Sequence, residues 1–86
     1  MFYVYVLSTL SSELYVGYTS NLKRRIEQHI AGQSKSTSGR IWKLIYYEAY
    51  RSKEDAVRRE KALKQRGQAK RYLKYRISNS ISSMCV

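Results

Sequence analysis

Proline is absent from this chain of 86 residues, and cysteine, histidine, tryptophan and phenylalanine each occur once. A single cysteine cannot form a disulfide within the chain, and with a single histidine it cannot build a Cys/His zinc cage. No apolar run reaches the roughly 20 residues that span a bilayer. The first residues lack the positively charged start of a secretory signal. We therefore expect a cytoplasmic protein with no membrane partner.

Acidic residues are also scarce, because 6 Asp and Glu stand against 17 Lys and Arg, for a formal net charge of +11. Such an excess predicts binding to polyanions through phosphate contacts and counterion release. Nucleic acid is the favoured partner. An anionic membrane surface is a weaker alternative, and a charge that serves only solubility is a third.

The hydrophobic pattern predicts one small domain of the α/β (α+β) class. FYVYVL, at residues 2–7, is apolar on both faces, as in a central strand. The predicted strands and helices are 2–7, 13–18 and 42–49, and about 21–31, 52–66 and 68–78. The expected architecture is a three-stranded, mostly antiparallel sheet flanked by three helices. The domain covers 1–78, and a frayed tail is expected at 79–86.

Two tyrosines on the first two strands are expected to form a pair. If the turn between these strands is centred on Leu10, Tyr5 lies opposite Tyr15 and Tyr3 lies opposite Gly17. Residues directly opposite each other project from the same face of a sheet. We therefore expect both phenols on one face.

The first helix carries polar groups at the edge of the face that it must bury. Arg25 and His29 each lie one position from the apolar stripe. That stripe consists of Leu22, Ile26 and Ile30. The second helix repeats the pattern with Glu60, which shares a face with apolar neighbours. An inward carboxylate is costly without a partner, which could be a protein cation or a bound metal.

Capping residues predict where the helices begin and end. Thr19 or Ser20 can cap the first helix, and Ser52 with Asp55 resembles a capping box for the second. Gly67 is expected to end the second helix.

Each candidate residue also has an ordinary structural explanation. Tyrosine is common in strands, and a single arginine often reaches solvent along its own stem. A histidine at a helix edge is commonly satisfied by water. Glu60 could pair with Arg58 or Lys64, and Gly17 could mark a bulge. Their joint occurrence favours a site.

The paired tyrosine motifs resemble those of the GIY-YIG nuclease family. YVY at 3–5 and YVG at 15–17 stand where that family has its two motifs. Tyr3 replaces a glycine, and valine replaces isoleucine in each motif. A lysine that some members carry after the second motif is Tyr18 here.

The two helices extend this resemblance. Arg25 and His29 follow the second motif at the family's spacing. DAVRREKALK at 55–64 is similar to the helix that carries the family's metal-binding glutamate, which maps to Glu60. The likeness spans about 2–75. It is closest to small stand-alone members, related to the nuclease module of a bacterial excision-repair subunit.

The resemblance implies a metal-dependent DNA endonuclease with a single-metal Tyr/Arg/His/Glu site. Glu60 would hold Mg²⁺ or Mn²⁺, with water completing its shell. Tyr15 would activate the attacking water, and Tyr5 would position that water or share its proton. Arg25 would bind the phosphate, and His29 would accept a proton. Which of the tyrosines or His29 is the general base stays open.

DNA is the implied partner, including branched or damaged DNA, and DNA repair is one pathway that such an enzyme could serve. The residues expected along the DNA path are Gly17, Arg24, Lys35, Arg59 and Lys64. No small-molecule cofactor is expected, and the oligomeric state stays open. Two other classes fit the composition: a non-catalytic nucleic-acid-binding module of the same fold, and a ribosome-associated basic protein. The latter leaves the inward Glu60 unexplained.

Overall fold

The computed structural model describes residues 1–31, 41–65 and 67–83. Within them the chain forms an antiparallel sheet of three strands in the order β2-β1-β3, together with four helices. The strands are β1 (Phe2–Ser8), β2 (Leu14–Thr19) and β3 (Lys43–Tyr50), and the helices are α1 (Leu22–Ile30), α2 (Lys53–Lys64), α3 (Gln68–Arg76) and α4 (Ser78–Ser82). The predicted class and sheet are confirmed. No helix in these ranges has the length and apolar character to cross a membrane.

The central strand β1 separates two apolar layers, because successive side chains alternate between the faces of a sheet. Val4 and Val6 point into one layer, which contains Val16, Ala56, Leu63, Leu73 and Ile77. Tyr5 and Leu7 point into the other layer, beside Trp42 and the half-buried Tyr15, Leu22 and Ile26. Helices α2 and α3 cover the first layer, and α1 covers the second.

The first turn is longer than predicted. The Thr9 N–H donates to the Glu13 carbonyl at 3.1 Å and closes a loop in which Ser12 adopts a positive φ of 65°. The register therefore pairs Tyr5 with Gly17 and Leu7 with Tyr15, and the predicted Tyr5–Tyr15 pairing is wrong. The error is two residues along β2. Since side chains alternate with a period of two, both tyrosines still project from one face.

The N-cap of α1 lies one residue after Ser20 and two residues after Thr19, the two predicted caps. Asn21 is its N-cap, with a side chain that accepts from the Arg24 N–H at 3.1 Å. Thr19 instead stabilises the approach to the helix, because its hydroxyl accepts from the Asn21 N–H and donates to the Asn21 carbonyl.

The predicted capping box of α2 does not form. Ser52 is the N-cap, but its hydroxyl donates to the Glu54 carboxylate at 2.9 Å, and its side chain makes no capping bond. The helix has Gln65 as its C-cap, while Gly67 precedes α3 as its N-cap.

The chain continues as helix beyond the predicted frayed boundary. Ser78–Ser82 form α4. Ile77 is buried and Ile81 packs against the same apolar layer. Residues four apart share a helix face, so these two isoleucines hold α4 on the sheet side. Residues 79–82 of the expected frayed tail lie in α4, while 84–86 lie outside the described residues.

Candidate active site

Tyr5 lies at the centre of the candidate site. Tyr5 is 1% exposed, so its buried hydroxyl needs a hydrogen-bond partner. The Tyr5 Oη atom is 2.8 Å from His29 Nε2, and Arg25 Nε donates to the same oxygen at 3.3 Å. The fold thus brings together three of the predicted residues from β1 and α1.

Gly17 makes this position of the phenol ring possible. It pairs with Tyr5 across β1 and β2, and the Tyr5 ring lies over its Cα. A Cβ atom at residue 17 would collide with the Tyr5 Cζ, Oη and Cε1 atoms, the last at 2.8 Å. Glycine is therefore required here by packing against the protein's own tyrosine, a reason that the sequence did not indicate.

Tyr15 lies beside this pair and is less buried. Its ring centre is 5.1 Å from that of His29 and 6.3 Å from that of Tyr5. The hydrogen bond to Tyr5 raises the pKa of Arg25, and the neighbouring Tyr15 phenol acts in the same direction. Trp42 packs edge-on against Tyr15 at 6.2 Å. Both tyrosines therefore belong to the site, with Tyr15 on its open side.

Helix α1 buries a histidine where the sequence predicted an isoleucine. Ile30 is 69% exposed, whereas His29 is 2% exposed. The predicted stripe is therefore wrong at its last position. The contact between His29 and the Tyr5 hydroxyl compensates for the removal of the imidazole from water, which would otherwise be costly.

Burial keeps this histidine and its partner phenol neutral. Removal from water, together with the nearby Arg25 charge, lowers the pKa of His29. Burial raises the pKa of Tyr5, although the hydrogen bond from Arg25 acts in the opposite direction. At neutral pH the Tyr5–His29 contact therefore joins a neutral hydroxyl to a neutral imidazole. A proton can be shared across this contact.

Glu60 extends from α2 toward the phenols. Its side chain is 20% exposed, and its Oε2 atom is 3.2 Å from Lys64 Nζ. The same Nζ atom lies 5.9 Å from the centre of the Tyr15 ring. The Glu60 charge also contributes to raising the pKa of Tyr5. The carboxylate therefore lies at the edge of the phenol cluster.

The donor set around Glu60 fits one kind of cation. No group of three His, Cys, Asp or Glu side chains that could hold a metal occurs within the described ranges. A site that depends on one carboxylate suits Mg²⁺, which commonly binds through one or two carboxylates and keeps several waters. Glu60 fits a largely hydrated Mg²⁺ ion of this type.

The residues predicted along the DNA path differ in their surroundings. Arg24 is exposed on α1, and Lys64 pairs with Glu60 at the site. Arg59 was predicted to contact DNA, but it donates to both Glu48 oxygens, at 3.0 and 3.2 Å through Nε and at 3.1 Å through Nη2. Lys35 lies outside the described residues.

The Glu48 cluster is a feature that the sequence analysis missed. Besides Arg59, Glu48 accepts from Tyr46 Oη at 2.6 Å and from Tyr50 Oη. A signal was present in the sequence. Tyr46, Glu48 and Tyr50 alternate along β3, and a period of two places them on one face.

Comparison with known proteins agrees with this arrangement. The family model for the GIY-YIG catalytic domain matches residues 1–73. The chain therefore belongs to the GIY-YIG family, a nuclease-type family. Its relatives include proteins of the UPF0213 group.

Two relatives and one solved structure illustrate the similarity. A UPF0213 protein of Natronomonas pharaonis is 44% identical over 71 residues, which cover 80% of this chain and 84% of that protein. A UPF0213 protein of Streptococcus agalactiae is 45% identical over 66 residues, with coverages of 74% and 75%. The solution NMR structure of a UPF0213 protein from Bacillus halodurans superimposes with a TM-score of 0.53 at 37% identity, covering 85% of this chain and 81% of that one.

Proposed function

We propose that this protein is a metal-dependent endonuclease that hydrolyses phosphodiester bonds in DNA. The observation that carries the proposal is the contact of Tyr5 with both His29 and Arg25 in a buried centre. Tyr15 and Glu60 lie at the edge of that centre. A net charge of +11 supports a polyanionic substrate.

Arg25 is the proposed phosphate ligand. Its Nε atom donates to Tyr5 and its Nη1 atom donates to the Gln28 amide oxygen at 3.0 Å. These bonds fix the plane of the guanidinium in advance, and a planar fork can make two aligned bonds to phosphate oxygens. A phosphate bound there would lie beside both phenols.

Tyr15 is the proposed contact for the attacking water, because it lies on the open side of the cluster. Tyr5 is too deeply buried for that role and passes a proton to His29 instead. Arg25 donates to the Tyr5 oxygen, so the Tyr5 hydrogen is left to point at His29 Nε2. The neutral imidazole is the terminal proton acceptor of this set.

The reaction forms a bond from the water oxygen to phosphorus and breaks the bond to the 3′ oxygen. The proton of the water passes to the tyrosine and histidine set, and the departing oxygen gains a proton from solvent. A Mg²⁺ or Mn²⁺ ion bound at Glu60 would neutralise charge on the phosphate and on the departing oxygen.

The test incubates purified protein with supercoiled plasmid, single-stranded DNA and branched DNA, with Mg²⁺ or with EDTA. We expect nicking that requires the metal and falls at least about 100-fold in Glu60→Gln, because the cation loses its ligand. Glu54→Gln is the matched control, since it removes the same charge from the exposed side of the same helix.

Two outcomes would contradict this proposal. Equal nicking by wild type, Glu60→Gln and Glu54→Gln would place the activity elsewhere. Salt-sensitive binding with no cleavage of any of these DNAs would instead support a non-catalytic binding module.

A further inference from the structure

A groove beside the candidate active site has no role in the chemistry described above. It lies between α1 and β3 and encloses about 560 Å³. Tyr3, Leu44 and Tyr47 form its sheet side, while Leu22, Lys23 and Ile26 form its helix side. Helix α1 covers β2 and β1 but leaves these β3 side chains open to solvent.

The two tyrosines of the groove belong to the same sheet face as the catalytic phenols. Tyr47 pairs with Tyr5 across β1 and β3, and Tyr3 precedes Tyr5 by two residues on β1. Opposite residues and residues two apart both project from one face. The groove therefore lies on the same face of the sheet as the Tyr5 centre.

The aromatic rings in the groove are available to a ligand. Tyr47 is 53% exposed, and its ring meets that of Tyr3 edge to face, with centres 6.2 Å apart and an angle of 64°. In this arrangement the Tyr3 ring buttresses the Tyr47 ring, so that Tyr47 presents a fixed aromatic surface.

The groove places a cation beside its aromatic rings. Lys23 lines it on the helix side. Glu27 is the single carboxylate among the lining residues that the structure describes. Exposed aromatic rings next to cations form the pattern with which proteins bind single-stranded nucleic acid.

We propose that this groove binds an unpaired segment of the DNA substrate, with a base stacked on Tyr47 and a phosphate near Lys23. Bases inside a duplex stack on one another and cannot offer a face to the ring, so the groove selects single-stranded or locally unpaired DNA. The groove volume falls within the range of small-ligand sites, about 300–1,000 Å³, which a duplex would not enter. This inference rests on the proposed nuclease function, and it names the substrate class.

The test measures DNA affinity without cleavage. Fluorescence anisotropy follows the binding of a labelled single-stranded oligonucleotide, and of the duplex of the same sequence, to Glu60→Gln protein in EDTA. We expect an additional Tyr47→Ala change to weaken single-strand binding at least about fivefold, since loss of one stacked base typically costs that much or more. Duplex affinity should stay the same.

Two further variants separate stacking from general effects. Tyr47→Phe keeps the ring and should keep the single-strand affinity. Tyr75→Ala removes a tyrosine that is 85% exposed on α3, away from the groove, and should also keep it. Unchanged single-strand affinity in Tyr47→Ala, or an equal loss for duplex and single strand, would overturn the inference.

The same measurements distinguish this inference from the nuclease proposal. Binding that requires Tyr47, in a protein whose wild type cleaves no DNA, supports the groove and overturns the enzyme. Metal-dependent cleavage with single-strand affinity indifferent to Tyr47→Ala supports the enzyme and overturns the groove.

Discussion

Two carboxylates lie beside helix α2, and their partners differ. Glu48, on β3, has a side chain 15% exposed and accepts hydrogen bonds from Arg59, Tyr46 and Tyr50. Glu60, on the helix itself, has similar exposure but forms its one ion pair, among the residues that the structure describes, with Lys64. The two carboxylates are therefore buried to a similar extent, but Glu48 accepts several hydrogen bonds whereas Glu60 has a single ion pair among the described residues.

The comparison separates a structural carboxylate from one that is available for chemistry. Burial alone would raise the pKa of Glu48, but the hydrogen bonds from Arg59, Tyr46 and Tyr50 outweigh it and lower that pKa. Burial and Glu48 in turn raise the pKa of both tyrosines to about 12, so they remain donors. A carboxylate saturated in this way has little capacity left for a cation. Glu60 has that capacity, because an exposed lysine is a partner that it can exchange.

Because Arg59 and Glu60 are adjacent on α2, the bonds between Arg59 and Glu48 also influence where Glu60 points. Arg59 attaches α2 to β3 through Glu48, and the next residue along the helix is Glu60. Successive helix residues lie about 100° apart around the axis. With Arg59 fixed at β3, Glu60 is directed toward β2 and its Tyr15. The structural cluster thus sets the rotation of α2 that the candidate site requires.

The largest expected effect that would sharpen this contrast concerns stability. We expect Glu48→Gln to lower the free energy of unfolding by about 2 kcal/mol, because hydrogen bonds to a charged group are each worth about 1.5–3 kcal/mol and the amide replaces them only in part. Glu60→Gln should change it by about 0.5 kcal/mol or less, as for an i,i+4 surface pair. Urea titration followed by circular dichroism measures both.

If Glu60→Gln were as destabilising as Glu48→Gln, the division into structural and available carboxylates would be wrong. An Arg59→Met change serves as the internal control. The protein with both Arg59→Met and Glu48→Gln should lose less stability than the sum of the two single losses, because the two residues share one set of hydrogen bonds.

A smaller expected effect is an acid dependence of stability to which Glu48 contributes. Its folded pKa is lowered from the ordinary 4.5, so the unfolded chain takes up the proton at higher pH than the folded protein does. The contribution is complete above about pH 4.5 and is lost as pH falls through the lowered pKa. Each pH unit between the two values costs at most about 1.4 kcal/mol.

Urea titrations of wild type and Glu48→Gln between pH 3 and pH 6 test this dependence, with pH as the varied condition. The wild-type advantage should shrink on acidification. A constant difference between the two proteins across that range would mean that Glu48 does not titrate as the hydrogen bonds require.

Much of the fold could be predicted from the sequence because local signals were strong. FYVYVL is apolar at every position, which is typical of a central strand, and β1 is central. The register could not be predicted, since it depends on Thr9 closing a loop around the positive φ of Ser12. Serine at that position gives no signal of the kind that glycine or asparagine would give.

The candidate site was predictable as a set of residues but not as a set of contacts. Spacing and resemblance brought Tyr5, His29 and Glu60 together. The inward turn of His29 in place of Ile30 could not be predicted, because hydrophobicity favours isoleucine and the contact with the Tyr5 hydroxyl acts against that preference. The role of Gly17 was equally hidden, since it depends on a ring that packs from the neighbouring strand.

The smallest expected effect concerns Lys64, whose ammonium group is the partner that a cation must displace from Glu60. Replacing it by methionine leaves the helix propensity nearly unchanged and removes the competing charge. We therefore expect Lys64→Met to lower the Mg²⁺ concentration that gives half-maximal nicking by a few-fold. Stability should change by about 0.5 kcal/mol or less, since the ion pair is half exposed.

Lys61→Met is the matched control, because it removes a lysine from the same helix at an exposed position. If Lys64→Met raised the Mg²⁺ requirement, the lysine would assist the site rather than compete for it. Glu60 would then not be the exchangeable carboxylate that the comparison with Glu48 describes.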